Sequence, residues 1–154
     1  MKTNLNAAPA NKAVVRRLYE DCFNRGKLNA ADELVSPDFV SLGSGGGSGL
    51  DGFKANATRL LTGFPDVQFT IRDLIAENDR VAVYWTWEGT HRGIFANIPP
   101  TGKRVQQEGM VAYRLEGGKV MDARVIFDRL GVFQQLGMAA ELPGAPKTSE
   151  PPKA

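Results

Sequence analysis

Near the start of the chain, apolar residues recur at helical spacing: Val14, Val15, Leu18, Tyr19, Cys22 and Phe23 share one face. This predicts a helix opening near Asn11 and closing before Gly26, with that face buried. Asn29 is placed to cap a short second helix running through Leu34 and Val35. Ser36-Pro37 ends it, because the residue before a proline avoids helical geometry. Phe39-Val40-Ser41 then reads as a short extended piece, and Leu50, Phe53, Ala57, Leu60 and Leu61 return to a helical stripe that Gly63 and Pro65 terminate.

From Val67 the period shortens to that of a strand. Val67, Phe69 and Ile71 alternate with Gln68, Thr70 and Arg72, and a Glu77-Asn78-Asp79 turn leads into a second strand from Arg80 to Thr90. Pro99-Pro100-Thr101-Gly102 turns the chain into a long third strand, Lys103 to Glu116. Gly117-Gly118 makes a tight hairpin into a fourth, Lys119 to Phe127. A last helix, Arg129 to Leu136, stops at Gly137. Helices followed by an antiparallel meander predict an α+β fold with the helices on one face of the sheet. The domain is expected over 12–142, preceded by a flexible segment over 1–11. A disordered tail over 143–154 follows, rich in proline and without apolar periodicity.

At 154 residues there is room for one core and little else. The only cysteine, Cys22, excludes an internal disulfide and a cysteine-built zinc cage, and the only histidine, His91, excludes a multi-histidine metal site. Residues 1–12 lack the apolar core of a secretory signal, so a cytoplasmic location is expected. No apolar run is long enough for a membrane span. Lys and Arg (19) nearly balance Asp and Glu (17) and are scattered among them, which argues against a nucleic-acid partner. The glycine-rich stretch from Gly43 to Gly49 has no Gly-Lys-Ser/Thr after it, so a mobile flap is expected there in preference to a phosphate cradle.

Two motifs carry a family resemblance. Gly89-Thr90-His91-Arg92-Gly93-Ile94-Phe95 is followed by Ile98-Pro99-Pro100-Thr101-Gly102-Lys103, and the domain closes with Asp128-Arg129-Leu130-Gly131-Val132-Phe133-Gln134-Gln135-Leu136-Gly137. In both, and in the distance between them, the sequence resembles the SnoaL-like polyketide cyclase family, from about Val14 to Gly137. The resemblance implies a cone-shaped α+β fold shared with ketosteroid isomerase and scytalone dehydratase, a strongly curved sheet around a pocket that helices close. It also implies cofactor-free intramolecular aldol chemistry, with Asp128 at the position of the family's acid/base aspartate. Leu42 stands where many members carry histidine, and Asp122-Ala123-Arg124 where many read Glu-His-Trp.

On the fourth strand, Asp122, Arg124, Ile126 and Asp128 share one face, and Met121, Ala123, Val125 and Phe127 the other. Two readings stand side by side. Either the apolar set faces the helices and the charged set is solvated, or, as the resemblance implies, the charged set lines the pocket. In the second case the apolar stripe is left outside and invites a homodimer. In that second reading Asp128 is the acid/base, tuned by Arg124 and Asp122, a trio that also resembles the water-activating cluster of limonene epoxide hydrolase. Asp128 directly precedes the last helix and is equally placed to cap it. The substrate-binding candidates are Tyr19, Trp85, His91, Phe39, Phe53 and Met110, around a small hydrophobic ligand, with no cofactor or metal required. His91 also suits a loop-ordering role, and Asn56 and Asn97 are candidates for orienting a carbonyl. The expected function is cyclase or isomerase chemistry on a carbonyl compound. A non-catalytic binding or dimerisation module and a hydrolase are the alternatives.

Overall fold

The structure is a computed structural model that describes residues 7–43 and 47–138. The centre of the glycine-rich stretch, the extreme N-terminal segment and the tail beyond Leu142 lie outside the described residues.

Helix α1 spans Ala7–Arg17, opening before the expected start at Asn11. Pro9 falls in its first turn, where the missing N–H costs no helical bond. Asn11 is an interior, buried position whose Nδ2 donates to the carbonyl of Asn78, 3.3 Å away. The chain continues as a π-helix over Leu18–Asn24, wider than an α-helix, which turns Leu18, Tyr19 and Cys22 together into the core. A 3₁₀ turn, Leu28–Ala30, leads into the short helix α2, Ala31–Leu34. Asn29 lies inside that turn and no side chain caps α2, so the expected cap does not form.

Strand β1, Val35–Gly43, is longer than the expected Phe39-Val40-Ser41 piece and contains Pro37. A proline is tolerated because β1 is an edge strand whose register slips between Val35 and Val40. Helix α3, Gly49–Gly63, buries Phe53 and Ala57. A side chain at Gly63 would collide with Phe95 Cβ, 2.7 Å from the added carbon, so glycine there permits the close approach of the Gly93–Phe95 loop. Strands β2 (Gln68–Glu77), β3 (Arg80–Thr90), β4 (Arg104–Glu116) and β5 (Lys119–Phe127) form an antiparallel meander, and β1 adds to β5 in parallel. The five-stranded sheet has the order β1-β5-β4-β3-β2. Gly117 and Gly118 both have positive φ, 58° and 77°, as the tight β4–β5 hairpin requires. Helix α4, Arg129–Gln135, closes the domain. Among the described residues no helix is long and apolar enough to cross a membrane.

The fold is the expected α+β cone. The sheet curves, with register shifts in β2 at Ile71/Asp73 and between β4 and β5 at Arg114/Leu115. Its inner face carries Val81, Val83, Trp85 and Trp87 from β3 and Val105, Val111, Tyr113 and Leu115 from β4. The β5 question resolves toward the helices: Ala123 is buried in the core and Val125 and Phe127 pack against it, while Arg124 and Ile126 are exposed outside. Ala123, Val125 and Phe127 of the apolar stripe expected on the outer surface are therefore internal, and the argument for a dimer from Met121, Ala123, Val125 and Phe127 falls. The shift at Arg114/Leu115 leaves Met121 without a partner across the ladder, so Val120 and Ala123 both point inward.

Candidate functional site

Between the inner face of the sheet, the π-helix over Leu18–Asn24 and helices α3 and α4 lies a cavity of about 290 Å³. Its walls are aromatic. Phe69 packs on Tyr19 (5.3 Å between ring centres) and on Trp85 (5.0 Å), and Phe53 meets Phe39 edge-on at 5.7 Å. Val111 and Val125, register partners on β4 and β5, face it together.

The floor is polar. The Tyr19 and Tyr113 hydroxyls lie 2.6 Å apart, both rings buried. Burial, then the charge and hydroxyl of Tyr113, push the Tyr19 pKa well above the ordinary phenol value, against a smaller opposing effect of the Trp85 indole. Burial does the same for Tyr113. Both phenols are O–H donors at any ordinary pH. The Trp85 Nε1–H is buried beside them and lies outside hydrogen-bond geometry to any protein acceptor. Ser41, Asn56, Arg59, Gln107 and Arg129 add polar groups to the lining, and among the described residues no carboxylate or imidazole belongs to it.

The sequence candidates separate in space. Tyr19, Trp85, Phe39 and Phe53 line the cavity together. Met110 does not: its parity on β4 is that of Glu108 and Ala112, and it sits 56% exposed on the outer face. His91 is fully buried behind the Phe64 ring, 5.4 Å from it, and outside the cavity. Its Nδ1 accepts the Thr101 backbone N–H at 3.1 Å, and its own backbone exchanges hydrogen bonds with Lys103 and Gly102. The histidine orders the Pro99–Lys103 turn, and the amide donor at Nδ1 assigns the ring hydrogen to Nε2. Asn97 occupies a positive-φ loop position, whereas Asn56 lines the cavity and accepts from Arg59 at 2.8 Å. Buried Cys22 has its thiol pKa pushed up to about 11, chiefly by burial, and is unreactive packing.

The expected Asp-Arg-Asp cluster does not assemble. Asp122 pairs with Arg114 at 2.7 Å, and Arg124, outside on β5, makes no ion pair among the described residues. Asp128 caps α4: its Oδ1 accepts the Gly131 N–H at 2.8 Å. Asp128 is not itself among the cavity-lining residues, although its sequence neighbours Phe127 and Arg129 are. Gln107 forms the border of the cavity. It accepts from Trp87 Nε1 at 2.8 Å and donates to the Asp128 carbonyl at 3.0 Å. Beyond it, Asp128 opens onto a polar outer hollow of about 530 Å³ that includes Thr70, Thr86 and Glu108. No group of three or more His, Cys, Asp or Glu side chains is placed to hold a metal among the described residues. Sequence reasoning missed Tyr113, although its alternation with Val111 and Leu115 on β4 marks it as inward.

The sequence profile of the SnoaL-like polyketide cyclases matches residues 13–136. The chain belongs to this family. It is 28% identical to aklanonic acid methyl ester cyclase DauD of Streptomyces sp. (strain C5), over 90% of this chain and 89% of that protein. It is 30% identical to nogalonic acid methyl ester cyclase of Streptomyces nogalater, over 75% of this chain and 89% of the relative. Among solved structures, TsrD from Streptomyces laurentii superposes with a TM-score of 0.74 at 25% identity, covering 82% of this chain and 97% of that one. The aromatic cavity of this SnoaL-like domain is thus set in the fold of a family that includes ring-closing enzymes.

Proposed function

We propose that this chain closes a carbon ring in an aromatic polyketide ester without a cofactor. The observation that carries the reading is the aromatic cavity with its hydrogen-bonding floor, in a chain whose relatives are named as methyl ester cyclases. Flat ring systems fill such a cavity through stacking and apolar burial, and the floor fixes an oxygen. Asp128, whose neighbours Phe127 and Arg129 line the cavity, serves as the base. Gly131 holds Oδ1, and Oδ2 is left to take a proton from a carbon next to a carbonyl. That carbon attacks a second carbonyl of the same molecule, a carbon–carbon bond forms, and the new alkoxide takes the proton back. The product is an isomer of the substrate.

The direct test is incubation with aklanonic acid methyl ester and with nogalonic acid methyl ester, followed by chromatography and mass spectrometry. A product of unchanged mass and altered retention is expected from at least one. No conversion above the protein-free control overturns the reading. Asp128→Asn keeps a capping oxygen but cannot exchange the proton, so turnover falls about 10²–10⁴-fold with little change in melting temperature. Full activity in that variant removes Asp128 from the chemistry. The chain acts as a homodimer in the cytoplasm in this reading: exposed Met110 and Ile126 offer an apolar contact on the outer sheet face, and a lone buried thiol suits a reducing compartment.

A further inference from the structure

At the floor of the aromatic cavity two hydrogen-bond donors are left without an acceptor among the described residues. Tyr19 and Tyr113 share a single OH···OH contact and have no other hydrogen-bond partner among the described residues, so one of their two hydroxyl hydrogens has no acceptor there. Trp85, 5% exposed, brings its Nε1–H to the same floor, also without one. Folded proteins seldom leave buried donors unmatched, and sites that do are commonly matched by a ligand or water. The arrangement is built in. Gly109 lies opposite Trp85 in the β3–β4 ladder, and a methyl group there would come within 2.6 Å of the indole Cη2. The missing side chain is the space the indole occupies.

We propose that Tyr19, Tyr113 and Trp85 form a binding site for a neutral carbonyl oxygen on a flat aromatic ligand. The inference deepens the cyclase reading by naming what the floor recognises, and it rests on the cavity being the ligand site. Two donors converging on one point can both be met by the two lone pairs of a single carbonyl oxygen. Among the described residues the cationic members of the lining, Arg59 and Arg129, are exposed, so they set no counter-charge for a carboxylate at the buried floor. Both phenols stay protonated at working pH, because burial holds their pKa values above the ordinary range. A hydroxyl that accepts from its neighbour is also a better donor to a third group, which strengthens the contact.

The test compares 9-fluorenone with fluorene, which has the same three-ring skeleton and no oxygen. Affinities are measured by calorimetry, and the carbonyl stretch of bound fluorenone by infrared spectroscopy. Fluorenone is expected to bind about tenfold tighter than fluorene, with its stretch lowered relative to hexane solution. Tyr113→Phe and Trp85→Phe should each shrink that ratio about threefold or more, whatever either does to fluorene affinity itself. Absent fluorenone binding, equal affinities for the two ligands, or an unshifted stretch in the unmodified protein overturns the proposal, and none of these needs a variant to fold. Binding involves no turnover. A failed cyclisation assay therefore leaves this site standing, and a failed fluorenone assay leaves cyclisation to be judged on its own.

Discussion

A methyl group added at Gly131 would overlap the Asp128 carboxylate, whose Oδ2 is the nearest atom to it. The carboxylate can fold over the first turn of α4 only because the residue that donates to it has no side chain. Gly131→Ala is therefore expected to push the carboxylate off the helix start, costing about 0.5–2 kcal/mol of stability through the lost cap. If Asp128 is the base, turnover falls further than Asp128→Asn stability data alone predict. Thermal melts with single-turnover rates measure both effects. Arg124 gives the opposite expectation. It stands outside on β5, across from Ala112 and Leu42 in register and away from the cavity. Arg124→Trp is expected to leave ligand affinity and the pH profile of turnover unchanged and to alter stability by less than about 0.5 kcal/mol. A shifted pH profile in that variant would bring the arginine back into the site.

At the scale of elements, legibility follows from how strongly local pattern and tertiary context agree. Strands β3 and β5 match the sequence reading at both ends, because each is a continuous β-rich run closed by turn residues. The start of α1 is hidden: Ala7-Ala8-Pro9-Ala10 has no apolar period, and the half-buried to exposed turn there is helical through alanine's propensity and a proline in the first turn. Strand β1 was shortened by reading Pro37 as a breaker, a rule that fails on an edge strand. The aromatic half of the site was visible as inward stripes, whereas the sharing of a floor by Tyr19 and Tyr113, distant in sequence, depends on how the sheet curls under the helices. Asp66 shows how elements are tied. Leading into β2, its carboxylate accepts the Thr90 N–H at 2.6 Å and the Thr90 hydroxyl at 2.8 Å at the end of β3. These bonds, the backbone one foremost, hold its pKa below the ordinary carboxylate value. The unfolded chain takes up the proton first, so this stabilisation is complete above about pH 4 and is lost as pH falls through the depressed native value. Asp66→Asn should thus melt below the unmodified protein at pH 7, with the gap closing under about pH 4. A gap independent of pH would mean that the carboxylate's charge contributes nothing there.

For the whole molecule, the resolved orientation of β5 moves the dimer argument to other residues. Ala123, Val125 and Phe127 of the stripe that first pointed to self-association pack on the helices, and the outer face carries a shorter apolar row in its place. Ile126, 72% exposed, pairs across the ladder with Met110, which in turn pairs with Tyr84 on β3. Arg72 and Glu108 stand exposed on the same face, so the surface holds both signs of charge beside its apolar row. We propose a second copy of this chain as the partner, since a two-fold axis through such a surface would set apolar against apolar and let arginine of one copy meet glutamate of the other. The expected outcome is a dimer in sedimentation equilibrium at micromolar concentration. Ile126→Lys should convert it to a monomer, because two lysines brought to the axis add like charge and desolvation cost to a patch that had neither. The far-UV circular dichroism of the variant should be unchanged, since the residue touches no core position. A monomeric unmodified protein ends the dimer proposal, and with it any role for the outer face in assembly. Cavity and ligand floor are untouched by that result, because every residue that builds them lies on the other side of the sheet.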